Sequence, residues 1–256
     1  MSLNPKITDW HGKRVWLVGA STGIGRATAI ALHTAGAKVF VSARSPAPLA
    51  ELSAQYPGLQ TIQLDATDEA GVKATAQKLI LEGGLDLMMY CAGIYQPLRA
   101  QDIKSTIMAQ HMQVNYIGAV YVTEAVLPAM LAAKHGHLSY VSSVAGFRGL
   151  PKSLAYGPTK AAMINMAEAL YIDLHDEGLG VSVINPGFVE TPLTSQNTFR
   201  MPALIKPEEA ATEIMAGWQA GKFEMHFPKR FTAWLKLMRS APHSLYFKMT
   251  RQFTGL

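Results

Sequence analysis

Arg14-Val-Trp-Leu-Val18-Gly19-Ala-Ser21-Thr22-Gly23-Ile24-Gly25 reads as a short β-type run closed by a glycine-rich turn, with an alanine-rich helical stretch following to about Ala35. Lys38-Val-Phe-Val-Ser42 is the next apolar run, and the order of strand, turn and helix then repeats. Further strands are expected at residues 60–64, 85–90, 137–141, 181–184 and 224–227, with helices near 48–56, 68–82, 104–133, 155–176 and 207–220. Such alternation predicts an α/β fold, one doubly wound parallel sheet of about seven strands with helices on both faces. In such sheets ligands lie beyond the carboxyl ends of the strands, so the loops there carry the chemistry. No internal repeat, low-complexity tract or linker interrupts the pattern. Residues 1–228 are therefore expected to form one unit, and 229–256 a basic amphipathic tail.

The 256 residues suffice for one large α/β domain, and 49% hydrophobic with 16% charged residues indicates a globular chain rather than a disordered one. Cys91 is the only cysteine, so no intrachain disulfide can form and a reducing compartment is the default. Residues 1–13 lack an apolar stretch of signal-peptide length. No uncharged apolar run approaches the ~20 residues of a spanning helix, so a cytoplasmic protein that does not cross the membrane is expected. The net charge of +5 is unevenly placed: from Lys222 onward seven Lys/Arg face Glu224 alone, while the preceding residues are nearly neutral. His135-Gly-His137 offers two ligands in a turn, which is not a metal site.

In the opening stretch, Gly19 suits a tight turn, Gly23 close approach of a ligand to the backbone, and Gly25 close packing of helix on strand. The backbone N–H groups of Ser21, Thr22 and Ile24 and the dipole of the helix beginning there favour a phosphate. The end of the second strand selects between dinucleotides. An acid there would accept the 2′-hydroxyl of NAD, but this chain has Arg44 and Ser45, a planar fork and a hydroxyl suited to a 2′-phosphate. NADP(H) is thus favoured over NAD(H). A rival reading takes Gly19-Ala-Ser21-Thr22-Gly23 as the G-x-S-x-G elbow of a serine hydrolase, with Ser21 the nucleophile. It leaves Gly25, Arg44 and the residues considered next unexplained.

Tyr156 and Lys160 are four apart at the head of an apolar helical stretch, hence on one face, and Ser143 lies upstream. A free phenol titrates near pKa ~10, too high for efficient proton exchange at neutral pH. An adjacent ammonium is expected to lower it. The spacing alone also occurs on surface helices.

Together these residues resemble the short-chain dehydrogenase/reductase family, in order from about Gly12 to Gly221. The resemblance rests on the glycine turn, Cys91-Ala92-Gly93, Val114-Asn115-Tyr116, Val141-Ser142-Ser143, Tyr156-Gly-Pro-Thr-Lys160, and Asn185-Pro186-Gly187 followed by Val189-Glu190-Thr191. It implies a Rossmann-type domain in which Tyr156 exchanges a proton with the substrate oxygen and Ser143 hydrogen-bonds that oxygen. Lys160 would hold the nicotinamide ribose, and Asn115 would extend a proton relay from Lys160. It also implies that Ala92, Gly93, Pro186, Gly187, Val189 and Thr191 seat the dinucleotide, with Asp65 and Ala66 beside the adenine. Asp65 would equally cap the helix that follows. The family's usual Asn-Ala-Gly reads Cys91-Ala92-Gly93 here, so the amide that ties adjacent strands is missing. Cys91 is expected to be a small buried residue rather than a nucleophile. Thr159 replaces the common serine before the lysine.

The resemblance implies a variable substrate lid near 188–206, where Leu193, Phe199, Met201 and Leu204 suit an apolar substrate. The expected activity is interconversion of a carbonyl and an alcohol, with a cofactor sensor lacking turnover as the alternative. The family also implies a homodimer or homotetramer paired through the helices carrying Asn115 and Tyr156. The tail, with aromatic, aliphatic and basic residues at helical spacing, suits an anionic membrane surface, another subunit or the body of the chain itself. Nucleic-acid binding is not expected, since the body adds no basic patch.

Overall fold

In the computed structural model, which describes residues 2–197 and 201–254, the opening stretch forms β1 (Arg14–Val18) and, after the glycine turn, α1 (Gly23–Thr34). There follow β2 (Lys38–Ala43), α2 (Pro46–Gln55), β3 (Gln60–Gln63), α3 (Glu69–Leu81) and β4 (Leu87–Tyr90). The second half supplies α4 (Ser105–Met112), α5 (Gly118–Ala133), β5 (His137–Val141), α6 (Tyr156–Leu174), β6 (Gly180–Pro186), α7 (Pro207–Gln219) and β7 (Glu224–Phe227). The strands make one parallel sheet in the order β3-β2-β1-β4-β5-β6-β7. The order reverses between β1 and β4, which opens a crevice at their carboxyl ends.

Strand alternation sorts the core into two layers. Trp16, Phe40, Met88, Tyr90, Leu138 and Tyr140 point to one face, where α3, α5 and α6 cover them. Val15, Leu17, Val39, Leu87 and Met89 point to the other, covered by α1, α2 and α7. Burial on both faces explains why β4 reads as a continuous apolar run rather than an alternating one. Polar side chains within the sheet satisfy one another: His137 meets Ser182 at 2.8 Å, Ser182 meets Ser139 at 2.9 Å, and Trp218 Nε1 donates to Ser139 at 3.3 Å. Burial lowers the His137 pKa to about 3, so it remains a neutral core residue and no ligand.

The helical pattern over 104–133 resolves into α4, a π turn over Gln113–Ile117 and α5. Contrary to the expectation from sequence, the continuous run Ser105–Ala133 is long and apolar enough to cross a membrane by length and composition. Its inward residues Ala119, Val122, Val126 and Met130 nonetheless belong to the core. After β7 the tail forms α8 (Lys229–Arg239) and α9 (His243–Thr254), and both pack on the body of the chain. Phe231 stacks on Phe188 at 5.5 Å between centroids. Arg148 donates to Ala241 O at 2.7 Å and lies 4.1 Å from the Tyr246 ring centroid, and Tyr246 Oη donates to Gly149 O at 2.8 Å. Phe199 of the expected lid and the last two residues of the tail lie outside the described residues.

Candidate active site

The glycine turn sits at the crevice because nothing larger fits there. Gly19 has φ +78°, and a Cβ on it would overlap the backbone of Ala92. Gly23 has φ +55°, and its Cβ would fall 2.8 Å from Thr191 Cγ2. At Gly25 a Cβ would come 2.7 Å from Ala20 Cα. The turn is thereby pressed against both the Cys91–Gly93 segment and the loop after β6, with the N-terminus of α1 behind it. That loop is fixed by a short parallel bridge between Val189 and Ile205 and by Thr194 Oγ1, which donates to Val189 O at 2.6 Å. Gly187 N donates to Phe227 O at 2.8 Å.

One cavity of about 440 Å³ joins these parts. Gly19, Ser21, Thr22, Gly23 and Ile24 line it, as do Arg44 and Ser45, Asp65 and Ala66, and Ala92 and Gly93. So do Ser143, Tyr156, Lys160, Pro186, Gly187, Val189 and Thr191, while Gly25 packs behind the turn. Arg44 and Ser45 are exposed at the end of β2. Asp65 does not cap α3: Asp68 does, accepting from Gly71 N at 3.1 Å. Asp65 Oδ1 instead accepts from Thr67 N at 2.9 Å and Thr67 Oγ1 at 2.8 Å. The Thr67 backbone bond leads in holding its carboxyl below the ordinary value, with a smaller contribution from Arg44.

Tyr156 opens α6, with Pro158 tolerated in the first turn. Lys160, 3% exposed, lies with Nζ 5.5 Å from the Tyr156 ring centroid and donates to Val141 O at 2.8 Å. The expected depression of the phenol is not what the site produces. Burial pushes the Tyr156 phenol well above its ordinary value, and the Ser143 hydrogen bond opposes this only in part. Burial also lowers the Lys160 ammonium to about 8. The ammonium's reach is limited because it is turned toward the Val141 carbonyl. The adjacent serines divide as strand geometry requires: buried Ser142 donates to Lys160 O at 2.7 Å, whereas Ser143 faces the phenol and accepts from Ala145 N at 3.1 Å.

Asn115 is fully buried in the π turn, where its side chain anchors the segment after β4. Its Oδ1 accepts from Ile94 N at 2.8 Å, and its Nδ2 donates to Ile94 O at 3.0 Å and Thr159 Oγ1 at 3.1 Å. A Cβ at Gly93 would touch both Asn115 Oδ1, at 3.5 Å, and Lys160 Nζ, at 3.6 Å, so these groups flank one glycine. Cys91, where an amide was missed, is fixed by its own N–H, which donates to Val18 O at 2.8 Å. Cys91 is half-buried at the cavity wall rather than fully buried as expected, and desolvation raises its thiol to about 11, which disfavours the reactive thiolate.

Tyr95 was not legible in the sequence. It packs edge-on against Tyr156 at 5.3 Å between centroids, and its loop is held by Gln96 N donating to buried His111 Nε2 at 3.0 Å. Phe188, the first residue of the expected lid, also lines the cavity. No histidine lines the cavity among the described residues, so Ser21 has no base there and the hydrolase constellation is not assembled. No cluster of metal-binding side chains occurs among the described residues.

A doubly wound sheet whose crevice joins a glycine-rich turn to a Tyr-Lys-Ser cluster, with Lys160 buried and Tyr156 and Ser143 half-buried at the cavity wall, defines a dinucleotide-type oxidoreductase class. The short chain dehydrogenase family profile matches residues 13–201, and the chain belongs to that family. It is 34% identical over 235 residues to an uncharacterized oxidoreductase of Myxococcus xanthus, covering 90% of this chain and 93% of that one. It is 33% identical over 204 residues to the 2-keto-3-deoxy-L-fuconate dehydrogenase of Xanthomonas campestris, covering 79% of this chain and 66% of that one. A solved short-chain dehydrogenase from Streptomyces avermitilis shares the fold, with a TM-score of 0.83 at 24% identity over 95% of this chain and 97% of that chain.

Proposed function

We propose that this oxidoreductase is an NADP(H)-dependent carbonyl reductase, interconverting a ketone or aldehyde and an alcohol on a lipophilic substrate. The observation that carries this reading is the single cavity with Arg44 and Ser45 at one end and Tyr156, Ser143 and Lys160 at the other. Arg44 and Ser45 would hold a 2′-phosphate, Asp65 and Ala66 the adenine side, and the glycine turn the pyrophosphate. Pro186, Gly187, Val189 and Thr191 would seat the nicotinamide half. The dinucleotide, when bound, supplies the hydride.

Tyr156 Oη stays protonated through the neutral range, so it suits donation to a substrate oxygen, the reductive direction. Ser143 Oγ hydrogen-bonds the same oxygen and stabilises charge that develops on it. Lys160, cationic below about 8, supplies positive potential beside the phenol. Asn115 acts through position, holding the Ile94 backbone and Thr159 and thereby the segment between β4 and Tyr95. Ile94, Tyr95, Leu150 and Phe188 give the substrate end an apolar wall.

The family resemblance further supports a homodimer or homotetramer paired through α5 and α6, where Ile172 is 75% exposed. The test is cofactor oxidation over a panel of ketones and aldehydes with NADPH and NADH in parallel. NADPH should be preferred, and Arg44→Ala should weaken NADPH several-fold while leaving NADH little changed. Preference for NADH removes the cofactor assignment. Binding of NADPH without turnover on any carbonyl favours a sensor instead.

A further inference from the structure

The helical hairpin α8–α9 has one side committed to the body and an outer side that carries exposed apolar groups, with Trp234 edge-on to Phe253 at 5.4 Å between centroids. The committed side is extensive. Phe231 packs on Phe188, Thr232 Oγ1 meets His226 Nδ1 at 2.7 Å, Lys236 pairs with Glu224, and Arg148 clamps Ala241 and Tyr246. Those contacts fix which residues face outward. They include Trp234 at 38% exposure, Leu237 at 72%, Leu245 at 48%, Phe247 at 56% and Phe253 at 70%. Half of the exposed large hydrophobic side chains of the described structure thus lie in two short helices. Lys229, Arg230, Arg239 and Lys248 are exposed around them, and residues 229–256 contain no acid.

Exposed apolar side chains interspersed with cations on a hairpin held against the body are unsuited to bulk water and complementary to an anionic bilayer. The aromatic and aliphatic groups reach the acyl boundary while the ammonium and guanidinium groups meet lipid phosphates. We infer that α8–α9 seats this protein on anionic phospholipid membranes as a peripheral, non-spanning contact. A second copy of the chain fits the patch less well, because two such faces would bring like charges together. The seat adjoins the cavity: Phe231 of α8 lies against Gly187 and Phe188, and Arg148 belongs to the segment between Ser143 and Tyr156. If the substrate is lipophilic, as proposed above, it reaches the site from the bilayer. The membrane contact itself does not depend on that reading.

The four tryptophans make the test direct. Trp10, Trp16 and Trp218 are buried in the body, at 6%, 0% and 0% exposure, and only Trp234 is on the surface. The full chain is mixed with phosphatidylcholine vesicles, with vesicles in which a third of the lipid is phosphatidylglycerol, and with the latter carrying a headgroup-proximal spin label. Flotation with the anionic vesicles alone is expected, with spin-label quenching of tryptophan emission that Trp234→Phe abolishes while flotation persists. Arg230→Gln and Lys248→Gln should each weaken partitioning about fivefold. Leu237→Ser should reduce binding further at high salt, where the electrostatic part is screened. These surface variants should keep the wild-type Tm, which separates lost binding from lost folding. No flotation with anionic vesicles overturns the proposal. So does flotation without quenching, or a mass in solution that halves in Leu237→Ser while vesicles have no effect, since the face would then join two copies.

Discussion

Replacing Lys160 by Met should make the protein more stable at neutral pH while destroying its activity. The ammonium is 3% exposed and its pKa falls from 10.5 to about 8 on folding, chiefly through burial. That depression corresponds to about 3 kcal/mol by which the folded state disfavours the charged form. Methionine has similar length and no charge, so it removes this cost but leaves the Val141 carbonyl without the Nζ donor now 2.8 Å away, a loss of about 1–2 kcal/mol. The net gain is about 1–2 kcal/mol near pH 7, or roughly 2–8 °C in Tm for a chain of this size. The sign with pH follows from proton counting. Between about 8 and 10.5 the unfolded lysine keeps a proton that the folded one has released, so wild-type stability rises with pH in that window through this group. Lys160→Met lacks that rise, and its advantage should vanish by about pH 10. Urea denaturation of both proteins at steps from about pH 7 to about pH 10 measures the difference, in which other titrating groups cancel. A stability difference that does not change with pH, or a variant less stable than wild type near pH 7, refutes the reasoning.

Asn115→Ala should lower stability by about 3 kcal/mol, or roughly 6–12 °C in Tm, because it strips partners from the buried Ile94 N–H and C=O and from Thr159. A thermal melt checks this; an unchanged Tm with lost kcat would instead mean that Asn115 acts in a relay. In the carbonyl-reducing direction kcat/KM should hold through neutral pH and fall as pH rises through about 8, where Lys160 discharges. A pH profile that climbs through this value contradicts the assigned roles of Tyr156 and Lys160. Gly23→Ala should abolish dinucleotide binding, since its Cβ would sit 2.8 Å from Thr191 Cγ2 at a φ of +55°. Nucleotide fluorescence titration of the folded variant reads this, and wild-type affinity would exclude the cradle.

The sheet was legible because most strands carry apolar residues bounded by turn residues, and burial on both faces leaves little ambiguity in β1, β4 and β5. Boundaries shifted where a loop residue was apolar: Leu85 belongs to the turn before β4, and β6 runs on to Pro186. The candidate residues that the cavity brings together were legible through their spacing, and the glycines through what only glycine can do. What spacing cannot encode is where a side chain of general use turns. Asn115, which the resemblance makes a relay member, also anchors the Ile94 backbone and Thr159, and the π turn that holds it has no sequence signature. The Tyr156 phenol was expected to be lowered by its neighbour, but the depth of the pocket and the Val141 carbonyl decide the balance, and both depend on distant strands. Tyr95 enters the site through packing alone. The attachment of the tail rests in part on Arg148 and Gly149, far away in sequence.

The central claim is that a Tyr156-centred site reduces a carbonyl at the expense of NADPH. It is tested most directly by single-turnover NADPH oxidation with a turned-over ketone or aldehyde, comparing wild type with Tyr156→Phe at equal cofactor saturation. Loss of the phenolic proton should slow turnover by about 10²–10⁴-fold without changing cofactor affinity. Oxidation at the wild-type rate in Tyr156→Phe would contradict the account.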